Sequence, residues 1–255
     1  MWGSLQPLST KTMRTKDSSM MINEILDSKK IIQTIDVLTK RIEDRFPGSG
    51  LSGVCRKLHE IGKETDDIIS WIEKPNKWYR LAIGVFILAV LIVLFYGISA
   101  MEIDFTKFDL GDFVTISEAA LNDIVLLGAA MIFLVSIEIR AKRKKIIASI
   151  NKLRSIAHII DAHQLTKDPD SISTAAKRTK HSPKRTMTEY ELGRYLDYCS
   201  EMLSLTGKVG FLYVQKFNDP VSVNAVNDLE ALTTGLSRKI WQKIMILRKT
   251  TQVDV

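Results

Sequence analysis

The chain has few of the residues that punctuate or staple a fold: 2 Cys, 6 Pro and 13 Gly among 255 residues. Cys55 and Cys199 allow at most one bridge and show no CxxC spacing, which excludes a disulfide framework and reads as two reduced thiols. GxxxxGK[ST] and GxSxG are missing, so neither a Walker-type phosphate loop nor a nucleophile elbow is legible. No segment alternates with period two for long enough to suggest a sheet. The first twenty residues hold Lys11, Arg14 and Lys16 but no apolar run of the ~7–15 residues a cleavable secretory signal needs. Residues 1–17 are expected to be a disordered tail, with a mitochondrial presequence as the alternative, since no acid precedes Asp17.

What the chain does have is one long uncharged run. Leu81–Met101 is 21 residues without a formal charge, and 13 of them are Leu, Ile, Val or Phe. At ~1.5 Å per residue such a helix crosses ~30 Å of hydrocarbon, and its insertion gains on the order of 4–8 kcal/mol. A simple soluble domain is excluded. Ile124–Ile137 is a shorter uncharged run of 14 residues. It reaches membrane thickness when Ala119–Ile139 is counted, with Asn122, Asp123, Ser136 and Glu138 near its ends. The reading is two spans, residues 78–101 and 118–139, joined by an external loop over 102–117.

Charge orients the pair. Net charge is +3 over residues 1–80, −5 over 102–123 and +9 over 124–255. By the positive-inside rule both termini are cytoplasmic and the acidic loop is outside. Trp78 and Tyr79 fall at the inner aromatic belt, and Phe105, Phe108 and Phe113 at the outer one. Asp104, Asp109 and Asp112 lack EF-hand spacing and read as solvated acids. The cluster Arg140, Lys142, Arg143, Lys144 and Lys145 is a candidate contact for anionic lipid headgroups. Ala82, Ala89 and Tyr96 in the first span, and Asn122, Ala129 and Ser136 in the second, recur at seven-residue steps. Matched by depth, these stripes are the expected packing seam of an antiparallel hairpin. A rival reading has Asn122, Asp123, Ser136 and Glu138 lining a pathway between subunits.

The remaining segments read as cytoplasmic helices. Ser18–Phe46 carries Ile22, Ile25, Ile32, Ile35, Leu38 and Ile42 and stops at Pro47-Gly48-Ser49-Gly50. Leu51–Glu73 places Val54, Leu58, Ile61, Thr65, Ile68 and Ile72 at alternating steps of four and three. Together they make a hairpin over 18–76. Beyond the second span, Ile146, Ile150, Leu153, Ala157 and Ile160 keep the same steps with no Gly or Pro between Gly128 and Pro169. One helix is therefore expected to continue out of the bilayer over 140–168. Residues 169–187 form a basic linker, acid-free over Ser171–Met187, with a capacity to hold anionic lipid. Specific nucleic-acid binding has no reading helix or aromatic platform to support it.

A hairpin over 188–249 completes the chain. Thr188-Glu189-Tyr190-Glu191 fits a capping box, and Asp219-Pro220 fits an N-cap followed by proline at the first helical position. Leu192, Tyr195, Cys199, Met202, Thr206, Val209 and Tyr213 form one seam; Val226, Leu229, Thr233, Leu236, Ile240, Ile244 and Leu247 form the next. Gly207, Gly210 and Gly235 read as places of close helix approach. Trp241 with Arg238, Lys239 and Lys243 makes a basic aromatic end, expected to pack its indole on the bundle with its charges solvated; contact with headgroups or a partner is the alternative. The fold class is all-α: a two-span transmembrane hairpin bearing a cytoplasmic antiparallel helical bundle with coiled-coil-like seams.

Three stretches, His158–Pro169, Arg194–Lys208 and Leu236–Ile244, resemble an uncharacterised family of bacterial two-pass helical membrane proteins, the similarity lying mainly over residues 150–247. The resemblance implies a bacterial cytoplasmic membrane and brings no activity, cofactor or site residue with it.

One constellation has metal-ligand residue types. His158, Asp161 and His163 fall as HxxDxH, in which 158 and 161 share a helical face while 163 points elsewhere, unlike the i, i+4 pair of HExxH. It reads as a polar stripe of Arg154, His158 and Asp161, with His158 in an interhelical hydrogen bond; metal-dependent chemistry at His158 and Asp161 is the alternative. No cofactor or catalytic residue is expected. The chain reads as a non-enzymatic, membrane-anchored interaction, scaffold or sensor module that binds a protein partner or itself. The rival is a regulated oligomeric pore or effector gated by the cytoplasmic helices.

Overall fold

The computed structural model describes residues 25–74, 77–100, 110–169, 180–181 and 186–253. Among the described residues the helices are α1 (Ser28–Arg45), α2 (Gly50–Glu73), α3 (Lys77–Ala100), α4 (Leu110–Leu165), α5 (Glu189–Gln215) and α6 (Pro220–Val253). Among the described residues there is no strand, so the all-α expectation is met. α3 and the first part of α4 are each long and apolar enough to cross a membrane. The expectations placed on 1–24, on the loop over 101–109 and on most of the basic linker lie outside the described residues.

Local chemistry sets the helix ends. The Asp27 carboxylate accepts from the Lys29 amide at 2.9 Å and starts α1 there rather than at Ser18. The turn after α1 contains Gly48 at φ +65°, a left-handed conformation that costs glycine little. Ser49 then accepts from the Ser52 amide and starts α2. At α5 both halves of the capping box form: Glu191 N–H donates to Thr188 Oγ1 at 3.2 Å, and the Thr188 amide donates to Glu191 Oε2 at 2.7 Å. The Ser222 amide donates to Asp219 Oδ2 at 3.0 Å, which makes Asp219 the cap of α6.

α1, α2, α5, α6 and the second part of α4 bury one continuous core. Every seam residue expected on α2, α4, α5 and α6 is buried. The seam of α1 is corrected to Ile31, Ile35, Leu38 and Ile42; Ile25 precedes the helix and is exposed, and Ile32 is half-buried. Two seam positions are polar for a reason: Thr65 Oγ1 and the Tyr213 hydroxyl lie 2.8 Å apart, tying α2 to α5 inside the core. A Cβ at Gly207 would touch Thr233 Oγ1 at 3.3 Å, and one at Gly210 would meet Leu229 Cδ2 at 2.6 Å. These glycines do let α5 and α6 approach. Gly235 does not; nothing lies within 4 Å of a Cβ there.

α4 is 56 residues long and is the axis of the molecule. It starts at Leu110, so residues 110–117, expected in a loop, are helical and Phe113 is an exposed helix residue. It then runs unbroken from the apolar segment into the core.

Candidate functional site

The site most in need of explanation is the stretch of α4 where apolar sequence gives way to buried core, residues 138–145. Arg143 meets the Asp219 carboxylate with two nitrogens: Nη2 lies 2.6 Å from Oδ1, and Nε lies 3.0 Å from Oδ2. This fork ties α4 to the start of α6. The guanidinium beside Asp219 holds that carboxyl below its usual range against the opposing pull of burial, and the Ser222 amide and hydroxyl add to the effect. One turn earlier, Lys142 Nζ lies 2.8 Å from Glu138 Oε1. Lys145 Nζ sits 4.5 Å from the centre of the Trp71 ring, a cation–π contact that ties α4 to the end of α2.

Three members of the expected basic cluster are therefore already engaged within the chain. Lys142 serves Glu138, Arg143 serves Asp219 and Lys145 serves Trp71. Arg140 and Lys144 are exposed and, among the described residues, make no such contact. Beside them a cavity of about 450 Å³ opens where α2, α3 and α4 meet. Trp71, Lys74, Lys77, Trp78 and Tyr79 line one side of it. Glu138, Ala141 and Lys142 of α4 line the other.

The structure does not bring the residues of the expected packing stripe together. Ala82, Ala89, Tyr96, Asn122 and Ala129 are exposed, and Ser136 is half-buried with its hydroxyl donating to the Ile132 carbonyl at 2.7 Å. The less exposed line on α3 runs instead through Tyr79, Ile83, Phe86 and Val90, and that on α4 through Leu127, Met131, Leu134, Glu138 and Ala141. The reason is the continuity of α4. Trp71 under Lys145 and Glu64 at 2.8 Å from Lys152 put α2 on one face of α4. Followed toward the N-terminus at steps of three and four, that face carries Ala141, Glu138, Leu134, Met131 and Leu127. α3 follows α2 and inherits the same face, while Asn122, Ala129 and Ser136 lie opposite.

The four pathway candidates are not brought onto one stripe. Asn122 shares its face with Ser136, whereas Asp123 and Glu138 lie toward the α3 side, as their spacing on one helix dictates. Asn122 and Asp123 are exposed.

The HxxDxH residues also part company. Among the described residues no group of three or more His, Cys, Asp and Glu is placed to hold a metal ion. Asp161 Oδ1 accepts from Gln164 Nε2 at 2.7 Å, His158 is exposed, and His163 packs so close to Gly50 that a Cβ there would overlap its ring. Arg154 pairs with Asp228 at 3.0 Å. Both thiols are buried; burial pushes Cys55 up to about 11 and Cys199 up to about 12, where neither is a nucleophile at neutral pH.

At the other end of the core, Lys243 Nζ donates to the carbonyls of Gln164 and Lys167, closing the C-terminus of α4. Trp241 is 55% exposed, so the expectation of an indole packed on the helices is corrected. Asp219 and Lys243, both on α6, contact α4 about twenty residues apart, hence ~30 Å along its axis. Trp241 and the ends of the basic linker thus belong to the end of the core remote from Arg143. That end also holds an arrangement no sequence motif signals: the Tyr198 ring lies between Arg41 at 5.4 Å and Arg194 at 4.9 Å, while Arg45 stacks on Tyr190 at 5.3 Å. Glu201 and Asp197 pair with Arg41 and Arg194, so two of the three arginines are matched by an acid. Comparison with protein-family models, curated proteins and solved structures finds no match for this chain.

Proposed function

We propose that the chain is a two-pass protein of a cytoplasmic membrane whose five-helix cytoplasmic bundle is an interaction module for another protein, without a chemistry of its own. α3 and the first part of α4 form the transmembrane hairpin, the segment over 102–109 faces outward, and both termini are inside. The charge distribution supports the orientation, and the resemblance over residues 150–247 favours a bacterial membrane.

The observation that carries the reading is the unbroken passage of α4 from apolar segment to buried core. A flexible tether would leave the bundle free to tumble; a continuous helix clamped by Arg143–Asp219 and Lys145–Trp71 fixes its height and rotation relative to the membrane. The remote end, where Trp241, Met245 and Ile246 are exposed beside Arg238 and Lys239, is then held ~30 Å from the bilayer as the working surface. In the same frame Trp241 is too distant for headgroups.

Native mass spectrometry of the full chain in lipid nanodiscs, paired with a conductance measurement, tests the proposal. One or two copies without ion conductance agree with it. A closed ring of four or more copies that conducts ions replaces it with the pore reading.

A further inference from the structure

We infer that the cavity between α2, α3 and α4 is a binding site for one anionic phospholipid, whose phosphodiester sits between Lys74 and Lys77. The inference rests on the membrane reading above and locates lipid recognition at residues other than the Arg140–Lys145 cluster. Among the cations that line the cavity, Lys74, Lys77 and Lys142, charge singles out the first two. Lys142, Arg143 and Lys145 are engaged by Glu138, Asp219 and Trp71, and Lys216 pairs with Glu73 at 2.9 Å. Lys74 and Lys77 are exposed at the cavity and, among the described residues, take part in no ion pair.

Position and lining name the ligand class. Leu81, the first residue of the long uncharged run, is one helical turn beyond Lys77, so the amines stand at headgroup depth. Trp71 and Trp78 supply amphipathic rings that favour the glycerol and ester region over bulk water or hydrocarbon. A soluble multivalent anion would gain little from such walls; a phosphodiester attached to acyl chains uses both parts. A bound headgroup bridging Lys74 of the α2 end and Lys77 of α3 also fixes the angle between the span and the core.

The test is native mass spectrometry of the full chain, released from detergent with phosphatidylglycerol or phosphatidylcholine. One phosphatidylglycerol per chain is expected to survive, and K74Q/K77Q is expected to weaken its binding on the order of 30-fold, the effect of two lysines near a negative leaflet. R140Q/K144Q removes equal charge outside the cavity and is expected to change binding less than about threefold. Equal retention of both lipids, unchanged binding in K74Q/K77Q, or an equal loss in both variants overturns the inference. So does displacement of the lipid by millimolar inorganic phosphate alone, which would mark a site for the free ion. Alkaline carbonate washing of membranes separates the two levels: wild-type chain that washes off contradicts the membrane reading itself, whereas chain that stays while the lipid results fail contradicts only this site.

Discussion

Leu153 and Leu91 are the same residue type in helices of the same chain, yet Leu153 is fully buried and Leu91 is 56% exposed. The contrast extends to whole regions. In the five-helix core, aliphatic residues on a narrow stripe meet other helices, and charged residues occupy the remaining surface. Along α3 and the first part of α4, Leu88, Phe95, Ile132 and Phe133 point outward on all sides. A stripe needs a protein partner; an all-round apolar helix needs an apolar solvent. The two regions therefore differ in what covers them, and each change below should be felt in one region and not the other.

The largest difference is expected from truncating the two leucines. Leu153→Ala leaves a cavity in a packed core and should lower the unfolding free energy of the five-helix core by about 2–5 kcal/mol in a denaturant titration. Leu91→Ala should leave that transition within ~0.5 kcal/mol. Glycines sharpen the same contrast. Gly210→Val forces a side chain into Leu229 and is expected to cost about 1–3 kcal/mol, read as a lowered melting temperature. Gly128→Val, where nothing lies within 4 Å of a Cβ, should melt like wild type.

The junction responds next. Asp219→Ala removes a helix cap worth ~1 kcal/mol and also releases Arg143, so amide exchange should speed up in the first turn of α6. Because the folded Asp219 carboxyl lies below its ordinary value of 3.8, its contribution is present above that pH and is lost as pH falls through the folded value. Arg143→Gln should weaken this acid dependence while sparing the Ser222 cap, whose amide and hydroxyl keep the remainder. The smallest effect concerns His59. Burial and Lys63 hold its imidazole below 6.5, against the opposing pull of Asp36. The unfolded chain then binds the extra proton first, so stability should decline as pH falls from about 7 to 5, and His59→Gln should flatten that slope.

The core was largely legible in the sequence because helix packing leaves a periodic signature. Steps of three and four picked out Leu153, Cys199 and Ile240, and the caps at Thr188 and Asp219 announced themselves by residue type. Ile25 misled because an isoleucine two residues before an N-cap has the right spacing without being in the helix. The stripe through Ala82 and Ala129 lies off the less exposed face for a different reason. Small residues permit close approach, but the rotation of α4 is set in the core, where Lys145 and Lys152 face α2. Extending that register through Ala141, Glu138 and Leu134 would have found the covered face. Arg143–Asp219 and Lys145–Trp71 join residues far apart in the chain, and no local pattern marks either pair. Trp241 shows the limit of composition: hydrophobicity alone does not say whether an indole is packed or offered to a partner.

The most direct test of the account is the sidedness of the two ends of α4. Single cysteines at Lys107→Cys, in the segment proposed to lie outside, and Ser204→Cys on the exposed face of α5 would be probed in intact bacterial spheroplasts with a membrane-impermeant maleimide; the two native thiols are buried and contribute little background. The account predicts labelling at 107 in intact cells and at 204 only after lysis. Labelling of both positions, or of 204 alone, before lysis would contradict it.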